Sequence, residues 1–318
     1  MPLSGIDRRA LLAGGIAAGV AGRLPAAETV APPRPIWPGS APGGERVRVV
    51  EREIPRSATG PADDTAFINV TRPTLAHAAP ARPNGAALLL IPGGGYLRVA
   101  IGRGGRGLME HFAGLGFHSY LLKYRLPADG WAAGPDAPLQ DAQRALRLIR
   151  SDAGAKGFAA DRIGALGFSA GGHLAAMLAY REDATYAPVD AADRAPLGIR
   201  AAGLLYPVAL MGTPGTHRAS EKELLGANPA PAIAARYRTD ARVTPASPPT
   251  FLAHAIDDRV VPVDNSLALL AALRRAKVPA EVHLPETGGH GFGLKDRDGR
   301  PLPWPGLFVA WAQRHGLG

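Results

Sequence analysis

"DRIGALGFSAGGHLAA", residues 161–176, changes its period in the middle. Ile163 to Phe168 is a short apolar run of the kind that forms a buried strand, and from Ala170 the small and apolar residues recur at helical spacing. Between the two lies Gly167-x-Ser169-x-Gly171. In that pattern a sharp strand-to-helix turn pushes the serine hydroxyl outward, and the flanking glycines remove side chains that would strike neighbouring backbone. A strand entering a helix through such a turn predicts an α/β sheet. It puts the serine at a strand's C-terminal end, where open parallel sheets bind ligands.

The rest of the chain carries the same alternation. "VRVVERE" (47–53) and "AFINVT" (66–71) predict two early strands. "AALLLI" (86–91), "FHSYLLKY" (117–124), "RIGALGF" (162–168), "AAGLLYPV" (201–208), "TFLAHAI" (250–256) and "AEVHL" (280–284) predict six more. "PLQDAQRALRLIR" (138–150) places Leu139, Ala142, Leu146 and Ile149 on one helix face, with Asp141, Arg144 and Arg147 elsewhere. "NSLALLAALRRAKV" (265–278) reads similarly, capped by Asp264 or Asn265. The expected architecture is a mostly parallel eight-stranded sheet covered by helices on both faces. Residues 209–249 form a long connection between two late strands and predict a small cap over the site.

A serine hydroxyl needs a base to take its proton and a third group to orient that base. After a G-x-S-x-G turn the partners follow in the order acid, then histidine. "FLAHAIDDRVVP" (251–262) offers Asp257 and Asp258 at the next suitable strand end, and "HLPETGGHGFG" (283–293) offers His290 after the last strand. Adjacent residues leaving a strand point in different directions, so one of the two carboxylates reaches the histidine.

Together "PGGGY", "LLKYRLP", "PLQDAQRALRLIR", "DRIGALGFSAGGHLAA", "LLYPV", "HAIDDRVVPVDNS" and "GGHGFG" resemble the α/β-hydrolase fold serine esterases akin to acetylxylan esterases, the BD-FAE-like carbohydrate esterases, from about residue 86 onward. In that family the acid stands three residues before the valine of D-x-x-V-P. With Val260 taken as that valine, the resemblance implies Asp257. It also implies acetyl groups on plant polysaccharide such as xylan as the substrate, and a glycine loop after the third strand as part of the oxyanion hole. Gly93 to Gly95 bare the backbone there, so the expected N–H donors are Gly94 or Gly95 together with Ala170, the residue after the nucleophile. The family's lipase relatives begin this loop with histidine, where this chain has Pro92. Tyr96, directly after the donors, is expected to narrow the acyl pocket, and Trp304 to wall it. His173 and His254 read as packing residues.

Composition sets the outer limits. The chain has 318 residues, 46% hydrophobic and 20% charged, enough for one large α/β domain. Its net charge of +9 comes mostly from arginines scattered singly, without a basic stripe or aromatic platform, which argues against nucleic acid. There is no cysteine among the 318 residues, and no metal-ligand spacing joins its nine histidines. No metal or cofactor is expected.

"GIDRRALLAGGIAAGVAGRLPAAETVA" sets Arg8 and Arg9 before a short apolar segment and small residues at Ala26 and Ala27. That reads as a twin-arginine export signal over residues 1–27, with a periplasmic or secreted destination. Leu11 to Gly22 is shorter than the about twenty residues of a spanning helix, so no stable membrane insertion is expected. Residues 28–45, rich in proline and glycine, read as a linker before a catalytic domain over 46–318.

The expectation is an exported serine carboxylesterase acting on a small-molecule or polysaccharide ester. Three rivals stand beside it. A prolyl-oligopeptidase-like peptidase shares the "DDRVVP" turn, but that family carries a large N-terminal domain. A general short-chain carboxylesterase and a non-catalytic binding module on the same scaffold are the others.

Overall fold

The apolar runs stack side by side as parallel strands. A computed structural model describes residues 29–318 apart from 182 and 297, so the export segment read over 1–27 lies outside the described residues. The strands are β1 (Thr29–Pro35), β2 (Arg52–Pro55), β3 (Thr65–Ile68), β4 (Thr74–Ala79), β5 (Ala87–Ile91), β6 (His118–Lys123), β7 (Ile163–Phe168), β8 (Ala202–Leu205), β9 (Thr250–Ala253) and β10 (Ala280–His283). The helices are α1 (Arg103–Gly114), α2 (Ala137–Lys156), α3 (Ala170–Tyr180), α4 (Arg218–Leu225), α5 (Pro231–Arg236), α6 (Asp264–Arg275) and α7 (Trp304–Arg314).

Eight strands form one sheet in the order β1-β4-β6-β5-β7-β8-β9-β10. The pairings β1–β4 and β4–β6 are antiparallel, and all the others are parallel. The crossover helices cover both faces. Leu89 and Ile91 of β5 pack with α2, α3 and α6, while Leu88 and Leu90, pointing the opposite way, pack with α1 and α7. Because both faces are covered, β5, β6 and β7 are buried at every position. Among the described residues no helix is long and apolar enough to cross a membrane.

Two expectations are corrected. The two early runs predicted as sheet strands pair instead with each other as the separate β2–β3 ribbon. Their places are taken by β4 and by β1, whose three prolines (TVAPPRP) are tolerated because an edge strand leaves one side unpaired. The segment read as a linker over 28–45 is therefore part of the domain. Past β1, Ile36 and Trp37 are 1% and 4% exposed.

The charged face of α2 is also covered. Asp141, Arg144 and Arg147 are all buried, because residues 36–42 and 183–195 lie over them. Trp37 Nε1 donates to Asp141 Oδ1 at 2.8 Å, and Arg144 Nε donates to the Ile36 carbonyl at 2.8 Å. Arg125 and Asp141 form a fully buried ion pair at 2.9 Å. Removing two charges from water is costly unless their remaining hydrogen-bonding groups are met. Arg125 donates in addition to Pro42 O, Ala137 O and Gln140 Oε1, which fastens the N-terminal segment to the sheet.

Candidate active site

The C-terminal ends of β5, β7 and β9, with the loop after β10, meet at one cleft of about 820 Å³ lined by Gly93 to Gly95, Ser169, Tyr206, His217 and His290, among others. Ser169 sits between β7 and α3 at φ 56°, a conformation costing a side-chain-bearing residue roughly 1–3 kcal/mol. Close packing holds it there. A Cβ on Gly167 would lie 2.2 Å from the Gly171 carbonyl oxygen, and one on Gly171 2.2 Å from that of Ile91. The Ser169 N–H donates to Leu205 O at 3.0 Å, and its carbonyl accepts from Val208 N–H at 3.3 Å.

Ser169 Oγ stands 2.8 Å from His290 Nε2, and His290 Nδ1 2.7 Å from Asp258 Oδ2. With Nδ1–H donating to the carboxylate, Nε2 is left bare to accept the serine proton. The sequence reading chose Asp257 for the acid; the geometry puts Asp258 there. The pattern's valine is the one followed by proline, Val261, and three residues before it is Asp258. The turn orients the two side chains differently. Asp258 is 7% exposed and accepts from the N–H groups of Val260 and Val261 at 2.8 and 3.0 Å. Asp257 is exposed and accepts from the Gly289 N–H at 2.7 Å, which steadies the histidine loop from outside. Burial alone would raise the Asp258 pKa. The hydrogen bonds from His254, His290 and the Val261 N–H outweigh it and hold the carboxyl well below the usual range.

His254 is wholly buried, as the sequence reading had it. Its Nε2 lies 3.0 Å from the Val261 carbonyl, which can only accept, so Nε2 carries the proton and shares it with Asp258 Oδ2 at 3.2 Å.

The glycine loop comes directly against the serine: a Cβ on Gly93 would lie 3.1 Å from Ser169 Cβ. Gly94 and Gly95 have φ +135° and +67°, and a Cβ on Gly94 would lie 2.0 Å from the Arg98 carbonyl oxygen. Among the described residues no protein acceptor takes the N–H of Gly94, Gly95 or Ala170, and Ala170 opens α3, where the helix dipole favours negative charge. These groups can receive an oxyanion.

Two residues expected to contact substrate do not line the cleft. Tyr96 is 1% exposed at φ 62° and turns beneath the loop, its hydroxyl 2.8 Å from His173 Nδ1. His173 Nε2 meets the Tyr237 carbonyl at 2.7 Å, so the proton is on Nε2 and Tyr96 O–H donates to Nδ1. Burial chiefly pushes the His173 pKa down to about 4, keeping it neutral. Trp304 is 3% exposed and donates from Nε1 to the Gly293 carbonyl at 2.8 Å, bracing the histidine loop from the core.

Tyr206 and His217, which also line the cleft, escaped the sequence reading. Tyr206, at φ 37°, packs its ring edge-on to His290 at 5.0 Å and donates to Phe292 O at 3.0 Å. His217 comes from the segment over 209–249, which carries α4 and α5 and is pinned to the body by Asn265. That side chain accepts from the Ala209 N–H at 2.9 Å and donates to Gly215 O at 3.0 Å. The strained φ of a tyrosine and a histidine before a short helix carry no sequence signal. Among the described residues no cluster of three His, Asp or Glu could hold a metal.

Comparison with known proteins adds a family. The BD-FAE model matches residues 79–273. Over 211 residues, 64% of the chain, the sequence is 33% identical to endo-1,4-beta-xylanase B of Butyrivibrio fibrisolvens. Over 219 residues, 68% of the chain, it is 28% identical to an acetylxylan esterase of Xylanibacter ruminicola. These matches cover 32% and 42% of the two proteins, so the chain spans less than half the length of these curated relatives. Among solved structures, an acetyl ester-xyloside bifunctional hydrolase from Caldicellulosiruptor lactoaceticus superposes with a TM-score of 0.70 at 28% identity, covering 93% of this chain and 99% of that one. The carboxylesterase Cest-2923 from Lactobacillus plantarum, at 24% identity and TM-score 0.63 over 85% of this chain and 98% of its own, shares the α/β-hydrolase fold.

Proposed function

The chain belongs to the BD-FAE family, and on that premise we propose that it is a serine carboxylesterase removing acetyl groups from carbohydrate, acetylated xylan being the substrate class. The observation that carries this reading is the hydrogen-bonded series from Ser169 through His290 to Asp258, opening onto a cleft beside three N–H groups without protein acceptors.

In the proposed mechanism Ser169 Oγ attacks the ester carbonyl carbon while His290 Nε2 takes the hydroxyl proton. The carbonyl oxygen becomes an oxyanion facing the N–H groups of Gly94 or Gly95 and Ala170, whose dipoles are aimed in advance and need no reorganisation. Asp258 stays ionised, holds Nδ1–H toward itself and stabilises the imidazolium. As the C–O bond to the sugar breaks, His290 returns its proton to the leaving alkoxide, leaving acetyl on Ser169. Water, deprotonated by His290, then attacks the acyl-enzyme. Acetate leaves and the proton goes back to Ser169.

The test is acetate release from acetylated xylan and acetylated simple sugars, run beside a series of esters of one alcohol from acetate to octanoate. We expect sugar deacetylation and a steep fall of kcat/KM with acyl length. A maximum at about six carbons or longer rejects the acetylesterase reading in favour of a general carboxylesterase.

We also infer export by the twin-arginine route, supported by Arg8 and Arg9 ahead of the short apolar segment. Replacing both with lysine is expected to leave the enzyme in the cytoplasm of a twin-arginine-competent host. Undiminished export of that variant removes the inference.

A further inference from the structure

His217 stands immediately before α4 and caps it. Its Nδ1 lies 3.4 Å from the Ser220 backbone nitrogen and 2.8 Å from Ser220 Oγ. A backbone N–H can only donate, so Nδ1 is bare and the neutral ring carries its proton on Nε2. Burial first, then the nearby His290, keeps the ring in its neutral form by pushing its pKa below the ordinary histidine value, against the opposite pull of Asp258. Nε2–H has no hydrogen-bond partner among the described residues and is not sealed in the interior. The ring lines the same cleft as Ser169 and His290. The cap motif is seated on the glycine loop, since a Cβ on Gly95 would lie 3.7 Å from Ser220 Oγ.

The cleft therefore has donors of two kinds. The N–H groups of the glycine loop and Ala170 lie where the oxyanion forms. The His217 Nε2–H comes from the cap, close to His290, the group that hands its proton to the leaving alcohol, and no protein atom occupies it. A donor of fixed tautomer calls for an acceptor oxygen. A sugar offers its neighbouring hydroxyls and ring oxygen, whereas an aryl alcohol offers nothing beyond the ester itself.

We propose that His217 is a specificity-determining residue that donates Nε2–H to an oxygen of the alcohol portion of a carbohydrate ester. The proposal rests on the carbohydrate-esterase reading above.

His217→Asn tests it without dismantling the cap. Asparagine is among the best helix N-caps, so its Oδ1 takes over from Nδ1 while the reach into the cleft is lost. With the full chain, kcat/KM is measured on acetylated xylobiose and on phenyl acetate, and folding is checked by thermal melting. The ratio of sugar ester to aryl ester is expected to fall about fivefold to tenfold, the size of one lost neutral hydrogen bond. On monoacetylated xylosides lacking, one at a time, each hydroxyl beside the ester or the ring oxygen, one substrate should abolish the difference between the two enzymes, because it lacks the acceptor. An unchanged ratio, or a difference that survives every such removal, overturns the proposal alone. A wild-type enzyme that cleaves phenyl acetate but leaves acetylated xylobiose untouched overturns the carbohydrate reading together with it.

Discussion

Replacing Ser169 by alanine is expected to lower kcat for ester hydrolysis by on the order of 10⁶, the loss seen when the nucleophile of a serine hydrolase is removed. The fold should survive. The lost hydroxyl has His290 Nε2 as its one hydrogen-bond partner among the described residues, at 2.8 Å. Alanine keeps the Cβ, so the left-handed backbone at φ 56° carries the same strain in both proteins. A fluorophosphonate should label the parent at Ser169 and leave the variant unlabelled, with melting temperatures within a few degrees of each other. Full activity in the variant, or labelling mapped to another residue, would end the acyl-enzyme mechanism proposed here.

Asp258→Asn should cost about 10⁴ in kcat, and Asp257→Asn less than about tenfold, by analogy with loss of the orienting carboxylate in a serine protease. Four donors converge on Asp258: the N–H groups of Val260 and Val261, His254 Nε2–H and His290 Nδ1–H. A carboxylate accepts from all of them. The backbone pair meets one oxygen and the two histidines the other, so an amide turns its NH₂ toward one pair, and where that pair includes His290 the ring moves its proton to Nε2 and can no longer act as base. At 257 an asparagine Oδ1 can still accept from Gly289 N–H. Steady-state kinetics on one acetate ester separates the two, and equal losses would make Asp258 no more than a structural neighbour.

The same residue links stability to pH. The folded-state pKa of Asp258 is held below its unfolded value. The stability it contributes is therefore fully present above about pH 4 and is lost as pH falls through the folded-state pKa.

What could be read from the chain was whatever its near neighbours specify. The elbow at Ser169 follows from two glycines within two residues of it. The central strands β5 and β7 follow from apolar runs that must be covered on both faces, and α2, α3 and α6 from helical spacing between them. His290 stands out because glycines flank a histidine after the last strand, and the fold brings it within hydrogen-bonding distance of Ser169.

Other features depended on surfaces brought in from far along the chain. β1 is a strand because β4 offers it an edge. The charged face of α2 is buried because residues 36–42 and 183–195 close over it. Tyr96 turns down to His173 rather than into the cleft, and His217 arrives from a cap whose docking no local pattern encodes. Of two adjacent aspartates, the turn after β9 directs Asp258 inward, to be held by His254 and two backbone N–H groups, and Asp257 outward to Gly289. Periodicity determines that a residue belongs to a strand or a helix. Which partner a side chain leaving that element meets is a long-range contact, and it exists only once the chain has folded.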